Sequence, residues 1–301
     1  MNDTKMVNGS FAARFWQYMK ERFPLHKNGL LLLLIFSAVY KFTTYAPMFN
    51  PVIFAAGAAA YILFALHLRL MDEFKDFKAD SEYRPDRPVQ RGLVSLKELG
   101  RVMVVVIALE LLLSALTGPA GFTCFLAAII YSFMMWKEFF IGKFLGRHIY
   151  LYALSHGVVT IPLTCFAMVA TSGWQAVLNQ QFIYVAAINA VVFCATFSFE
   201  IARKIKRKDE EIAGIETYTS VSGEVMPVIL LIILNCVMGF FVYFIIFFPV
   251  LTIAYITGAV LYILKRDMFK KGEFMEILTG VYVLVYFIAV NIISLFPAVL
   301  K

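Results

Sequence analysis

Three aspartates, Asp72, Asp76 and Asp80, stand four residues apart in the stretch LRLMDEFKDFKADSEYRPDRPVQRGLVS, residues 68–95. Four residues advance an α-helix by about 400° and 6 Å, so this spacing predicts one stripe of carboxylates. Glu73 sits beside the stripe, one turn before Asp76. Like charges at this spacing destabilise a helix, and something positive must offset them. A divalent cation is the natural candidate. Mg²⁺ takes one or two carboxylates and completes its shell with water and phosphate oxygens. The bland alternative is a solvated face whose acids pair with Lys75 and Lys78. The stripe directly continues an apolar run, which favours the cation.

Arg84, Arg87 and Arg91 follow, with Pro85 and Pro88 holding the chain out of helix. Guanidinium groups bind phosphate bidentately. Carboxylates that hold a metal, next to an arginine loop, point to a diphosphate site. Asp72, Asp76 and Asp80 are then the candidate catalytic and metal-ligating residues. Arg84, Arg87 and Arg91 are the candidate diphosphate ligands.

A second polar stretch reads FEIARKIKRKDEEIAGIETYTSVSG, residues 199–223. Glu200, Arg203, Lys204, Asp209 and Glu210 make it a second candidate for function, since polarity beside a span is retained at a cost. On one continuous helix Glu200, Lys204, Arg207 and Glu211 share a face and Asp209 does not; a break before Asp209 would regroup them. The alternative is an ordinary charged loop. Lys137, at the end of an earlier apolar run, is a further candidate phosphate contact and equally a positive anchor at the membrane edge.

The elements that position these residues follow from composition. Of 301 residues, 61% are hydrophobic, with a mean hydropathy of +0.79. A soluble domain carries roughly 45–50% apolar residues, so the bilayer must be part of the solvent. Spans of about 20 residues are expected over 28–46, 50–71, 99–117, 120–137, 148–171 and 181–200. The block 225–264 suits two more, with a turn near Phe248-Pro249, and the last is 275–298. This gives an all-α integral membrane protein of about nine transmembrane helices. Residues 1–27 are a partly amphipathic lead-in, and 28–301 a single membrane domain.

The loop charges fix an orientation. Of 27 Lys and Arg residues, all but Lys41 and Lys301 fall in or beside 1–27, 72–98, 138–147, 201–224 and 265–274. By the positive-inside rule these segments are cytoplasmic, and both polar stretches lie on that side. The same rule explains the net charge of +7 without nucleic acid. No cleavable signal is evident, and the absence of a transit peptide favours a prokaryotic plasma membrane. The four cysteines lie far apart within apolar runs, which argues against disulfides or zinc. His67 and His156 lie within spans, where hydrogen-bonded packing is the favoured reading over a ligand role.

The first polar stretch resembles the first signature of the UbiA superfamily of intramembrane prenyltransferases. That signature reads N-D-x-x-D-x-x-x-D, then R-P-x-R-P, then G-x-I-S. Here Asp76, Asp80, Arg84, Pro85, Arg87, Pro88, Gly92 and Ser95 match, while Asp72 stands for the Asn and Glu73 for the next Asp. The second stretch resembles the tail of the family's second motif at Gly214, Thr217 and Gly223, with Glu210 at the acidic place. The usual D-x-x-x-D core is missing there; by the resemblance, Glu200, Asp209 and Glu210 are the candidates for a second metal set, and Arg203 and Lys204 for further phosphate contacts.

The resemblance implies helices bundled around a central cavity, with a polyprenyl diphosphate donor held by Mg²⁺ at its cytoplasmic mouth. It implies transfer of the prenyl group to an acceptor, aromatic or lipid, within surrounding membrane lipids. A terpene cyclase on the same fold is the nearest rival, since it would ionise the same donor without an acceptor. A transporter fits less well because the acids sit at span ends and not at mid-membrane. A non-catalytic lipid-binding relative is the remaining reading, supported only by the altered second motif.

Overall fold

A computed structural model describes residues 9–43, 49–178, 182–212, 214–240 and 247–294. They form fifteen α-helices and no strand. In chain order these are α1 (Phe11–Arg22), α2 (Leu25–Thr43), α3 (Pro51–Lys75), α4 (Phe77–Tyr83), α5 (Leu96–Ala115), α6 (Gly118–Trp136), α7 (Gly142–Leu145) and α8 (Ile149–Gly157). They continue with α9 (Thr160–Val169), α10 (Gln175–Leu178), α11 (Phe182–Ala202), α12 (Tyr218–Ser222), α13 (Val225–Phe240), α14 (Phe247–Leu264) and α15 (Glu273–Ile293).

Six segments among the described residues are long and apolar enough to cross a membrane: α3, α6, α8 with α9, α11, α14 and α15. The pair α1 and α2, bent by 63°, makes a seventh if counted as one span. Helix α5 has 20 residues but carries Lys97, Glu98, Arg101 and Glu110, and α13 has 16 residues. With these two the count comes to about nine. Exposed apolar side chains run along these helices, including Val104, Leu112, Ile130, Phe182, Val250 and Ile253. In water such surfaces would drive aggregation, whereas in hydrocarbon they are solvated. The chain is an integral membrane protein.

Two boundaries differ from the sequence expectation. Helix α3 runs past 71 to Lys75, so Asp72 belongs to the spanning helix itself. Phe248 and Pro249, where a turn was expected, lie instead in the first turn of α14. Proline is tolerated there, where its missing N–H has no helical acceptor anyway. Residues 241–246, which join the two helices, lie outside the described residues.

The helices group into two compact units, residues 1–136 with 166–174, and residues 137–165 with 175–301. In the first, α3 packs along α5 and also against α2 and α6. In the second, α11 packs against α13, α15 and α8. Each polar stretch belongs to one unit.

Candidate functional site

The first acidic stretch is built by the end of α3. The helix breaks at Asp76, which caps α3 and starts α4. The four-residue hydrogen-bond ladder survives the break. Asp76 N–H donates to Asp72 O at 2.8 Å, Asp80 N–H to Asp76 O at 2.8 Å, and Arg84 N–H to Asp80 O at 2.9 Å. The spacing read from the sequence is thus kept through a bend.

The four acids have different surroundings. Asp72 keeps 47% of its side chain exposed and lies 3.5 Å from Arg69. Burial first, and then the Asp72 and Asp80 carboxylates, push the Asp76 carboxyl above its ordinary range. Asp80 is buried and ion-paired to Arg87. Glu73 turns the other way and is fully buried. Arg22 reaches it at 2.8 Å and Arg69 at 2.9 Å, with the Tyr18 hydroxyl at 3.4 Å.

The proline-broken loop is a chain of tight turns. Arg87 N–H donates to Arg84 O, Arg91 N–H to Arg87 O, and Leu93 N–H to Pro88 O. Gly92 adopts φ +79°, a conformation that favours glycine. Ser95 then caps α5 in a reciprocal box with Glu98. Gly92 and Ser95 of the signature therefore shape the chain and do not themselves present charge. Arg84 and Arg87 are half-buried. Arg91 donates to both carboxylate oxygens of Glu21, at 3.0 and 2.7 Å, and to Asp86 O at 2.8 Å.

The second stretch is not a continuous helix. Helix α11 ends at Ala202, and after a turn a single 3₁₀ turn covers Lys208–Glu210. The shared face expected for an unbroken helix is therefore not formed. Glu200 pairs with Arg203 and, at 2.9 Å, with Lys204, whose ammonium also lies 5.9 Å from the Tyr218 ring centre. Asp209 is exposed.

Glu210 accepts from Arg207 N–H at 2.9 Å and Gly272 N–H at 2.7 Å. Burial alone would raise its pKa, but these two N–H groups outweigh it and hold the carboxyl below its ordinary range. Gly272 has no room for a side chain, since a Cβ there would stand 2.0 Å from Ile205 O. Glu211 accepts from the hydroxyls of Thr217 and Thr219 at 2.6 and 2.8 Å. Thr217 caps α12, and Gly214 and Gly223 take φ +86° and +76°. Lys137 is exposed, just ahead of a turn at Glu138, Phe139 and Phe140, all at positive φ.

Among the described residues no three His, Cys, Asp or Glu side chains gather as a ready-made metal cage. In the first stretch Asp80 is taken up by Arg87. Asp72, half-exposed and 3.5 Å from Arg69, and Asp76 are the candidate donor pair, and two carboxylates are what Mg²⁺ ordinarily takes from a protein when phosphate supplies the rest. Burial first, and then the neighbouring carboxylates, disfavour charge on Asp76, and such an ion would favour it. The residues present fit a Mg²⁺–diphosphate complex.

One pair escaped sequence reasoning. His67 Nδ1 lies 3.1 Å from Glu110 Oε2, both side chains fully buried between α3 and α5. A single Glu in an apolar run was the available signal. The alpha-helical spans also give His156 a partner, its Nδ1 lying 2.8 Å from Tyr152 O.

The sequence profile of the UbiA prenyltransferase family matches residues 31–273. The chain belongs to the UbiA prenyltransferase family. Its enzyme class, prenyl transfer, follows from that membership. No curated protein matches by sequence at a significant level. Among solved structures the UbiA chain resembles an apo UbiA homologue from Aeropyrum pernix K1, with TM-score 0.63 and 16% identity over 89% of this chain and 98% of that one. It also resembles a digeranylgeranylglyceryl phosphate synthase, with TM-score 0.58 and 15% identity over 93% and 99%. A third is a UbiA homologue from Archaeoglobus fulgidus bound to DMAPP and Mg²⁺, with TM-score 0.58 and 14% identity over 91% and 98%. At these identities the likeness is one of fold.

Proposed function

We propose that the protein is a Mg²⁺-dependent intramembrane prenyltransferase that ionises a polyprenyl diphosphate and passes the prenyl group to an aromatic or lipid acceptor. The observation that carries this reading is the laddered pair Asp72 and Asp76, at the end of a spanning helix and followed by the Arg84–Arg87 loop. The Archaeoglobus fulgidus homologue bound to DMAPP and Mg²⁺ supports the choice of donor and ion.

Asp72 and Asp76 would hold the ion, which when bound supplies positive charge to the departing diphosphate. Arg84 and Arg87 bind the same diphosphate through paired N–H donors. Asp80 holds the Arg87 guanidinium in place by the buried ion pair. Arg203 and Lys204 from the second stretch, and Lys137 after α6, are proposed to meet further phosphate oxygens. Glu200 and Asp209 are proposed as second-ion donors, with Glu210 shaping the loop that carries them. Apolar surroundings would keep water from the allylic cation while the acceptor captures it. The positive loops support a cytoplasmic face for this site, and a prokaryotic plasma membrane suits the chain.

The test is diphosphate release by purified protein with geranylgeranyl diphosphate and Mg²⁺, with and without a membrane-lipid extract. Release that needs the extract, and stops with chelator or in Asp76→Ala, is the expected result. The adduct mass then identifies the acceptor. Release without the extract, yielding a hydrocarbon or cyclic alcohol, would replace transfer by cyclisation. Release that persists in excess chelator would end the metal reading.

A further inference from the structure

Two charged residues of the first stretch, Glu73 and Arg91, are held by α1. We propose that α1 is a strap that positions the diphosphate loop, and that Arg91 is a positioning residue acting through Glu21. This rests on the reading of that loop as the diphosphate site.

Three ion pairs leave α1 and land on three separate pieces of chain. Arg14 reaches Glu98 at the start of α5 at 2.6 Å, and also donates to Leu93 O at 2.9 Å. Glu21 holds Arg91 of the loop at 2.7 Å. Arg22 holds Glu73 at the end of α3 at 2.8 Å. Between them Tyr18 and Phe23 are buried in one apolar cluster with Leu70, Val89, Leu93 and Val94. A lone half-exposed ion pair fixes little. Three pairs on three segments, joined by an apolar seam, define one geometry for the loop.

The roles of the two charged residues follow. Both terminal nitrogens of Arg91 are used on Glu21, and one also binds Asp86 O. Its fork is filled by protein acceptors that fold the loop onto α1. Glu73 is fully buried against two arginines, so its charge is matched inside the protein. The altered residue beside Asp72 has thus become the anchor of the strap at the metal-bearing end of α3. Moving α1 would shift Arg84 and Arg87 relative to Asp72 and Asp76.

The experiment is a charge swap in the full-length protein: Glu21→Arg, Arg91→Glu, and the double variant. Two readouts are taken, the kinetics with geranylgeranyl diphosphate and the hydrogen exchange of residues 86–93. Each single change should raise KM about fivefold, with kcat within about twofold, and speed exchange by a similar factor. The double variant should return both values to within about twofold of the parent, which also shows that the variants fold. If Arg91 touches the diphosphate directly, Arg91→Glu stays defective in the double variant while Glu21→Arg behaves as the parent. That pattern overturns the strap. Unchanged exchange in Glu21→Arg overturns it as well. If the parent uses no prenyl diphosphate, the functional reading fails separately, and exchange with its rescue still decides the strap.

Discussion

In the first polar stretch, Asp72 keeps 47% of its side chain exposed and Asp76 is pushed above the ordinary carboxylate range. In the second, Glu200, Glu210 and Glu211 are each met by donors of their own unit: Arg203 and Lys204, two backbone N–H groups, and two threonine hydroxyls. Both stretches follow a spanning helix. In the first, the acids crowd along one short stretch, and burial with the neighbouring carboxylates disfavours charge on Asp76, the condition a cation relieves. In the second, Glu210 and Glu211 tie down an irregular segment, while Glu200 is ion-paired and Asp209 is exposed. The environment of each carboxylate, and not the density of carboxylates along the chain, therefore separates candidate ion ligands from acids that fold a loop.

This contrast breaks most visibly at Asp76. Asp76→Ala should lower diphosphate release by at least about 100-fold, as loss of a group aimed at developing charge does. The melting temperature should stay level or rise, because a repelled carboxylate is removed. A large fall in melting temperature with activity retained would assign Asp76 to folding instead.

Arg207 is the opposite case. It is buried, stacks 3.7 Å from the Tyr262 ring centre, and bonds Glu224, Tyr262 O and Phe269 O. Arg207→Ala should destabilise the protein by about 3 kcal/mol, since buried acceptors lose their donor. Denaturant or thermal unfolding in detergent measures this. Wild-type stability would show that the second stretch is not a folding element.

Glu210→Ala should cost about 1 kcal/mol, the scale of a lost cap, through the Arg207 and Gly272 N–H groups. Release per folded molecule should fall far less than in Asp76→Ala. An equal loss in both assays would move Glu210 to the ion site and erase the contrast.

The smallest effect is in acid. Arg14 above all, outweighing burial, with help from Ser95, holds the Glu98 carboxyl down to about 2, against an ordinary 4.5. The folded state therefore prefers the ionised form. Its stabilisation is complete above about pH 4.5 and is lost as pH falls toward 2. Glu98→Gln should flatten that part of the melting curve and leave the neutral range little changed apart from a constant offset. A curve that keeps its acid slope would place the titration elsewhere.

Local regularities made much of this protein legible in its sequence. Apolar runs of spanning length gave the all-α membrane class, and Lys and Arg marked one side of the spans. The spacing of Asp72, Asp76 and Asp80 survives in the backbone because a helix repeats over four residues and needs no distant partner. The capping roles of Ser95 and Thr217 are local in the same way.

The tertiary structure alone decided which charges are already matched. Glu73 meets Arg22 across 51 residues, Arg91 meets Glu21 across 70, Glu210 meets Gly272 across 62, and His67 meets Glu110 across 43. No periodicity in one chain encodes such pairings. They form when packing brings separate helices together and burial makes an unmatched charge costly. Composition and spacing thus set where charge stands along the chain, and the fold set which of it remains to bind something else.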